Sequence, residues 1–156
     1  MDARLSNLEV NHESNRYPRI RWSGSTEFEQ YPDPVPGPGE VLVRVAATSV
    51  NPIDYKQRAR LTKDFYPIKF PGLTGVDLAG TVVKIGPAVE GFSVGDRVFA
   101  MADNTYAELC VVNAAILTKI PKGLDLIRAA ALPLVTTTGN QLLSATGVKG
   151  GQRLWS

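Results

Sequence analysis

The chain has 156 residues, a net charge of +2, 44% hydrophobic residues and 21% charged residues, which fits one globular domain with a real core. This small charge and the absence of any apolar run near the ~20 residues of a membrane span lead us to expect neither nucleic acid nor membrane as a partner. Its single cysteine, Cys110, excludes an internal disulfide, and the N-terminus lacks an apolar secretory core, so the default location is cytoplasmic.

The N-terminal part is predicted to begin with a flexible extension, because residues 1–15 are mostly polar and lack periodicity. Two short strands are predicted around Arg19–Trp22 and Glu27–Tyr31, with Ser23-Gly24-Ser25 as the turn between them. The Pro/Gly stretch from Pro32 to Gly39 predicts an extended linker into the next strand, since proline fixes φ and donates no backbone hydrogen bond.

A strand and a helix are predicted next. The segment from Glu40 to Val50 predicts a strand, and its alternating residues fall on one face: Val41, Val43 and Val45. A short polar helix over 52–60 follows. Asn51 can cap this helix, Pro52 suits its first position, and Asp54 falls in the first turn, where the helix dipole favours an anion.

The central part is predicted to be a loop over 61–72 followed by strands. Strand patterns recur at Asp77–Ile85, Arg97–Ala100, Tyr106–Val112 and Leu117–Ile120. Gly86-Pro87 and Gly95-Asp96 are turn signals between them. Short, turn-separated strands of this density favour a mainly β fold with short helices, arranged as a partly open β-barrel.

Beyond Pro121-Lys122-Gly123 the apolar residues recur at helical spacing, namely Leu124, Leu126, Ile127, Ala130, Ala131 and Leu134. Pro133 separates a short helix from a second helix over roughly 134–145. Glycines 147, 150 and 151 predict a turn, after which Arg153-Leu154-Trp155 could begin another strand.

Zinc is not expected as a cofactor. Structural zinc sites take four Cys or His ligands and catalytic sites take about three protein ligands. The chain has one cysteine, Cys110 in a predicted strand, and one histidine, His12 in the polar N-terminal segment. A buried core cysteine and a surface histidine are the expected roles. A metal site made of carboxylates alone stays open, although no run of acids has ligand spacing.

Three stretches together carry a resemblance to a known family: PDPVPGPGEVLVRVAATSVNPIDYKQR from Pro32, FPGLTGVDLAGTVVKIGPAVEGFSVGDRVFAM from Phe70, and AALPLVTTTGNQLLSATGVKGGQRL from Ala130. In this order they resemble the N-terminal, GroES-like domain of the medium-chain dehydrogenase/reductase superfamily. The resemblance implies a GroES-like substrate-side domain over 16–130. It also implies that residues 131–156 form the linking helix and the start of a nucleotide-binding domain, which this chain would lack.

Departures from the family pattern indicate which branch the chain resembles. Zinc dehydrogenases of this superfamily carry a ligand cysteine where Asn51 stands and Gly-His-Glu where Gly75-Val76-Asp77 stands. Their four-cysteine lobe has no room between Phe99 and Tyr106. The Asn-Pro-x-Asp sequence is similar instead to zinc-independent quinone oxidoreductases of the zeta-crystallin type and to related enoyl reductases. This resemblance implies NADPH-dependent reduction of a quinone or a conjugated C=C bond.

The same resemblance implies the site residues. It assigns Asn51, Asp54 and Lys56 to catalysis, and it assigns Asn51 and Thr138 to cofactor binding. Lys56 stands where several relatives have a tyrosine, and its charge could stabilise a developing enolate. Tyr55 and Tyr66 are weaker candidates. The alternatives are structural: Asn51 as a helix cap, Asp54 as a partner of the dipole and Lys56 as a solvated side chain.

Two functions from different classes stay open at this point. The first is the substrate-side domain of an NADPH-dependent reductase, inactive as an isolated chain because the glycines from Gly147 to Gly151 precede a strand rather than follow one, as a phosphate-binding turn would. The alternative is a non-catalytic GroES-like binding or assembly module. In either case the linking helix has an apolar side with Leu134, Leu142 and Leu143, and we expect either a homo-oligomer through this helix or docking of the helix on the barrel.

Overall fold

The computed structural model describes residues 15–19, 27–69 and 72–152, with side chains described for 32–69 and 72–152. The strands are β1 (Asn15–Arg19), β2 (Glu27–Tyr31), β3 (Glu40–Ala47), β4 (Asp77–Ile85), β5 (Arg97–Met101), β6 (Leu109–Asn113) and β7 (Thr118–Lys119). The helices are α1 (Pro52–Arg58), α2 (Leu126–Ala130) and α3 (Pro133–Thr146), and a 3₁₀ turn spans Ala114–Ile116.

Five of the strands form one antiparallel sheet in the order β6-β3-β4-β5-β7, while β1 and β2 pair separately. The alternating apolar residues of this sheet make the main core on one face, which contains Val41, Val43, Leu78, Val82, Val98, Ala100, Cys110, Val112 and Leu117. Because successive strand residues point to opposite faces, Ala79 lies on the other side and packs against Ala129 and Ala130 of α2. Helix α2 therefore covers the second face of the sheet.

The fold class expected from the sequence is confirmed: the chain is mainly β with short helices, and its sheet is open, as in a GroES-like partial barrel. Strand β4 has the predicted bounds. Helix α3 begins with Pro133 at its first position and ends at Thr146, and the following Gly147 has a φ of +66°, the left-handed conformation common just after helix C-termini. Asp125 caps α2 by accepting the N–H of Arg128 at 2.8 Å.

Helix α1 is shorter than the sequence predicted. It ends at Arg58 rather than at residue 60. Arg60 has a φ of +59°, a left-handed conformation that ends the helical path.

Two strand bounds differ from the prediction because residues at the strand ends form hydrogen bonds outside the strand pairing. Strand β3 stops at Ala47 rather than Val50, since the hydroxyl of Thr48 donates to the carbonyl oxygen of Asp77 at 2.6 Å. Strand β6 begins at Leu109 rather than Tyr106, whose N–H donates to the carbonyl of Thr74 at 3.0 Å. Both deviations bring loop residues toward the N-terminal end of β4.

The remaining differences are local. The predicted strand over Leu117–Ile120 is reduced to β7, because the 3₁₀ turn precedes it. The first strand, predicted around Arg19–Trp22, is described at Asn15–Arg19 instead, so Asn15, assigned to the flexible extension, pairs with Tyr31 in the small sheet. The rest of that extension, the turn at 23–25 and the strand start at 153–155 lie outside the described residues. None of the helices in the described ranges combines the length and the apolar character needed to cross a bilayer.

Candidate active site

Asp77, the first residue of β4, is a fully buried carboxylate bonded on both oxygens. Its Oδ1 accepts the backbone N–H of Leu134, in the first turn of α3, at 2.8 Å. Its Oδ2 accepts the Nδ2 group of Asn51 at 2.8 Å and the hydroxyl of Ser49. The nitrogen of Asn51 also contacts the Ser49 hydroxyl oxygen at 3.0 Å. One side chain therefore joins the loop after β3 to the helix that leaves the sheet.

Asn51 and Asp54 face each other across the start of α1. The N–H of Asn51 donates to Oδ2 of Asp54 at 2.6 Å, and the N–H of Asp54 donates to the carbonyl of Asn51 at 3.0 Å. Proline at the first helical position favours this helix start. An N–H at that position has no partner within a helix, so the lack of an N–H in proline costs no hydrogen bond. The side-chain nitrogen of Asn51 remains available to Asp77.

Tyr106 approaches the same group from the loop before β6. Its hydroxyl lies 3.0 Å from Oδ2 of Asp54 and 3.2 Å from the carbonyl oxygen of Ser49, and it can donate to either. Gly75 makes this approach possible. It has a φ of +96°, and a Cβ at its position would lie 2.5 Å from the Tyr106 ring and 2.5 Å from the Thr105 hydroxyl. We call Ser49, Asn51, Asp54, Asp77 and Tyr106 the polar cluster.

The surroundings of Asp54 and Tyr106 shift the pKa of both groups upward. Burial raises the pKa of Asp54 above its usual value, and the nearby Asp77 raises it further. Hydrogen bonds from Asn51 and Tyr106 lower the pKa of Asp54 but do not cancel the effect of burial. Burial, and then the hydrogen bond to Asp54, raises the pKa of Tyr106. Oδ1 of Asp54 is buried and accepts no hydrogen bond from the described residues. At neutral pH Tyr106 is a hydrogen-bond donor rather than a phenolate.

An apolar cleft of about 460 Å³ lies beside the polar cluster. Its lining includes Ile53, which precedes Asp54, Val76, which precedes Asp77, and Leu134, whose N–H Asp77 accepts. Tyr66 and Asp103 supply its polar edge, where the Tyr66 hydroxyl donates to Asp103 Oδ1 at 2.7 Å. This hydrogen bond raises the pKa of Tyr66 to about 12. A mostly apolar cleft with a few polar groups suits a small, largely neutral molecule.

The structure brings together two of the four predicted site residues. Asn51 and Asp54 are buried and directly bonded. Lys56 lies on the exposed side of α1, and Thr138 is exposed one turn after Leu134 on α3. None of the hydrogen bonds described for the polar cluster involves Lys56 or Thr138. The weaker candidate Tyr66 lines the cleft.

Sequence reasoning missed Ser49, Asp77 and Tyr106. Asp77 was considered only as a replacement for a metal-binding motif. The sequence does contain a signal for its role, namely an acidic residue at the start of an otherwise apolar strand. A charged side chain that is buried with such a strand requires hydrogen-bonding partners. Ser49 and Tyr106 carry no comparable local signal, because their roles depend on contacts across 28 and 52 positions of the chain.

The described residues fit a metal site and a dinucleotide phosphate site poorly. Among them, no group of three or more His, Cys, Asp or Glu side chains could hold a metal ion. The glycines near the end of the described chain follow the C-terminus of α3, whose partial negative charge disfavours a pyrophosphate. Contacts to a dinucleotide phosphate would have to come from other residues.

Comparison with known proteins identifies similar chains. Residues 37–122 match the family described as the alcohol dehydrogenase GroES-like domain. The chain is 36% identical, over 76% of its length, to a chloroplast envelope quinone oxidoreductase homolog from Arabidopsis thaliana, and it covers 37% of that protein. It is 32% identical, over 74% of its length, to an NADPH-dependent alkenal/one oxidoreductase from the same plant, of which it covers 32%.

A solved structure supports the same relationship. The mycobacterial protein Rv1454c, solved in complex with NADPH, superimposes with a TM-score of 0.79 at 33% identity. The match covers 87% of this chain and 43% of that protein. The chain thus spans between about a third and two fifths of the lengths of these similar proteins.

Proposed function

Because the chain belongs to the alcohol dehydrogenase GroES-like domain family, with oxidoreductases among its relatives, we propose that it forms the substrate-side part of an NADPH-dependent quinone or enone reductase. In this proposal residues 16–130 are the substrate-side domain and residues 131–156 link it to a nucleotide-binding domain. The physiological substrate is a neutral quinone or a conjugated carbonyl compound.

The observation that carries the proposal is the polar cluster beside the apolar cleft. The cleft offers apolar contacts to a planar, uncharged ring or chain, while residues next to its walls hold a fixed array of donors and acceptors. Such preorganised groups are what a hydride-transfer site requires of its protein, because the cofactor carries the redox chemistry itself.

The proposed residue roles follow from position and charge. Asn51 and Thr138 contact the nicotinamide end of the cofactor, and NADPH, when bound, supplies the hydride. Asp54 fixes the backbone of Asn51, whose N–H its Oδ2 atom accepts. Lys56, exposed on α1, stabilises with its ammonium charge the negative charge that develops on the substrate oxygen. The second hydrogen of the product enters as a proton.

The reaction is proposed to proceed without zinc. Asn51 and Val76 stand where zinc-dependent members carry metal ligands, and neither side chain suits Zn²⁺ as a Cys or His side chain would. Substrate activation then depends on hydrogen bonds and on charge instead of a Lewis acid.

The test uses the 156-residue chain alone and the same chain joined in frame to the part of Rv1454c that it does not cover. We expect the fusion to oxidise NADPH with a naphthoquinone or a 2-alkenal, and Asn51→Ala to lower kcat by about tenfold or more. Asp33→Asn, at an exposed position, is the control. We expect no turnover by the chain alone. A folded fusion without activity would contradict the proposal and favour a non-catalytic binding or assembly module.

The cytoplasm is the proposed location, and a homo-oligomer is the proposed form. Val135, Leu142 and Leu143 of α3 are 56%, 60% and 46% exposed, and apolar area of this kind promotes association. Light scattering on the chain should show a dimer or larger species that Leu142→Glu with Leu143→Glu dissociates. A monomer at every concentration would contradict the proposed oligomer.

A further inference from the structure

We propose that Asp77 is the positioning residue of this site: its carboxylate orients the Asn51 amide and fixes the first turn of α3 in one geometry. This inference rests on the proposed function, because it assumes that Asn51 meets the cofactor. Asp77 itself is fully buried and is not among the residues that line the cleft, so it acts through the residues it binds.

The orientation of the Asn51 amide follows from the acceptor it faces. Its Nδ2 group lies 2.8 Å from Asp77 Oδ2, where an amide oxygen would face a carboxylate oxygen and be repelled. Ser49 adds a second constraint, because its oxygen contacts the same nitrogen at 3.0 Å while its hydroxyl donates to Asp77. With Nδ2 held, the carbonyl oxygen of the amide also has one position.

The side chain at position 77 must accept hydrogen bonds at both of its terminal atoms to satisfy this arrangement. Leu134 presents an N–H to Oδ1 of Asp77, and Asn51 and Ser49 present donors to Oδ2. An asparagine at position 77 has one acceptor atom and one donor group, so with the Asn51 amide in its observed orientation either placement of the new amide sets N–H against N–H. The observed arrangement therefore requires a carboxylate, because an amide of nearly the same volume cannot accept hydrogen bonds at both terminal atoms.

The bond to Leu134 extends the same constraint to α3. The N–H groups of a first helical turn have no partner within the helix, and the dipole there favours an anion. Asp77 meets both needs, and Pro133, buried beside Leu134, begins the helix. Helix α3 thus leaves the sheet from a point fixed to the residue that orients Asn51.

Spectroscopy on the 156-residue chain tests the positioning directly. We expect the Leu134 amide and the Asn51 side-chain amide to be protected from exchange, and Asp77→Asn to reduce both protections by about tenfold or more. Asn51→Ala should leave the Leu134 amide protected, and Asp33→Asn should change neither signal. Wild-type protection confined to one of the two amides would overturn the inference.

Should Asp77→Asn fail to fold, scalar couplings measured across hydrogen bonds in the wild-type chain decide. We expect one coupling from the Leu134 amide nitrogen and another from the Asn51 side-chain nitrogen to the carboxyl carbon of Asp77. The absence of either coupling would overturn the inference.

A double-mutant cycle in the fusion separates positioning from general stability. We expect Asp77→Asn to lower kcat by about tenfold alone and by less than about twofold in the Asn51→Ala background. An equal effect in both backgrounds would mean that Asp77 does not act through Asn51. An inactive wild-type fusion would contradict the proposed function, while the spectroscopic measurements would still decide the role of Asp77.

Discussion

The hydroxyl of Tyr106 lies 3.0 Å from Oδ2 of Asp54, and the two side chains shift each other's pKa in opposite directions. Burial is the larger influence on both. The hydrogen bond then lowers the pKa of Asp54 and raises that of Tyr106, because it stabilises the carboxylate and the neutral phenol together. Tyr106 therefore limits how far burial can push Asp54 toward its neutral form.

Replacing Tyr106 by phenylalanine should destabilise the chain and raise the pKa of Asp54. The buried carboxylate loses one donor and keeps the N–H of Asn51, so we expect a loss of about 1–3 kcal/mol in the free energy of unfolding. Urea unfolding and a carbon-detected titration of Asp54 measure the two effects. Tyr55→Phe, at a residue 50% exposed, should change stability by no more than about 0.5 kcal/mol. Equal losses for both variants would contradict the role of Tyr106.

Asp54→Asn should change how stability depends on pH. The folded-state pKa of Asp54 lies above its unfolded value of 3.8, so the folded protein holds this proton more tightly. Ionisation then costs stability as pH rises from about 3.8 through the folded pKa, and the cost is constant above it. The asparagine variant has no such cost, although its amide is buried at every pH.

The free energy of unfolding of this variant, minus that of the wild type, should therefore increase between about pH 3 and about pH 7. Urea titrations of both proteins at several pH values measure the difference. The exposed control Asp33→Asn should show no comparable slope. A difference that falls with rising pH would show that the pKa of Asp54 is lowered in the folded state.

Cys110 should be unreactive in the folded chain. Its thiol is 5% exposed, and burial raises its pKa from 9.0 to about 11. That shift lowers the thiolate fraction at neutral pH by about a hundredfold, and thiolate is the reactive form. A disulfide reagent should react with it slowly in buffer and rapidly in denaturant. Equal rates in the two conditions would place Cys110 outside the core.

The purified chain should contain no stoichiometric zinc, and a chelator should leave its melting temperature unchanged. The reason is that no group of three or more His, Cys, Asp or Glu side chains among the described residues could hold a metal ion. Elemental analysis measures the metal content. About one zinc per chain would refute the proposed zinc independence.

The sequence predicted the parts of this fold that local patterns determine. Alternating valines located β3, and the Asn-Pro-x-Asp sequence located the start of α1. The end of β3 was not predictable in this way, because the Thr48 hydroxyl bonds a carbonyl 29 positions away. The same difference between local patterns and long-range contacts applies to the candidate site. Asn51 and Asp54 belong to one local helix start, whereas Tyr106 joins them through a contact across 52 positions.

Transfer of deuterium from the cofactor to the substrate tests the central claim most directly. The fusion with the uncovered part of Rv1454c would be supplied with NADPH deuterated at the reactive carbon of its nicotinamide and with a 2-alkenal, and mass spectrometry would locate the label. We predict one deuterium on the β-carbon of the saturated product, and about tenfold less labelled product per unit time with Asn51→Ala. A saturated product without the label, or equal rates of labelling for both proteins, would contradict this account of the site.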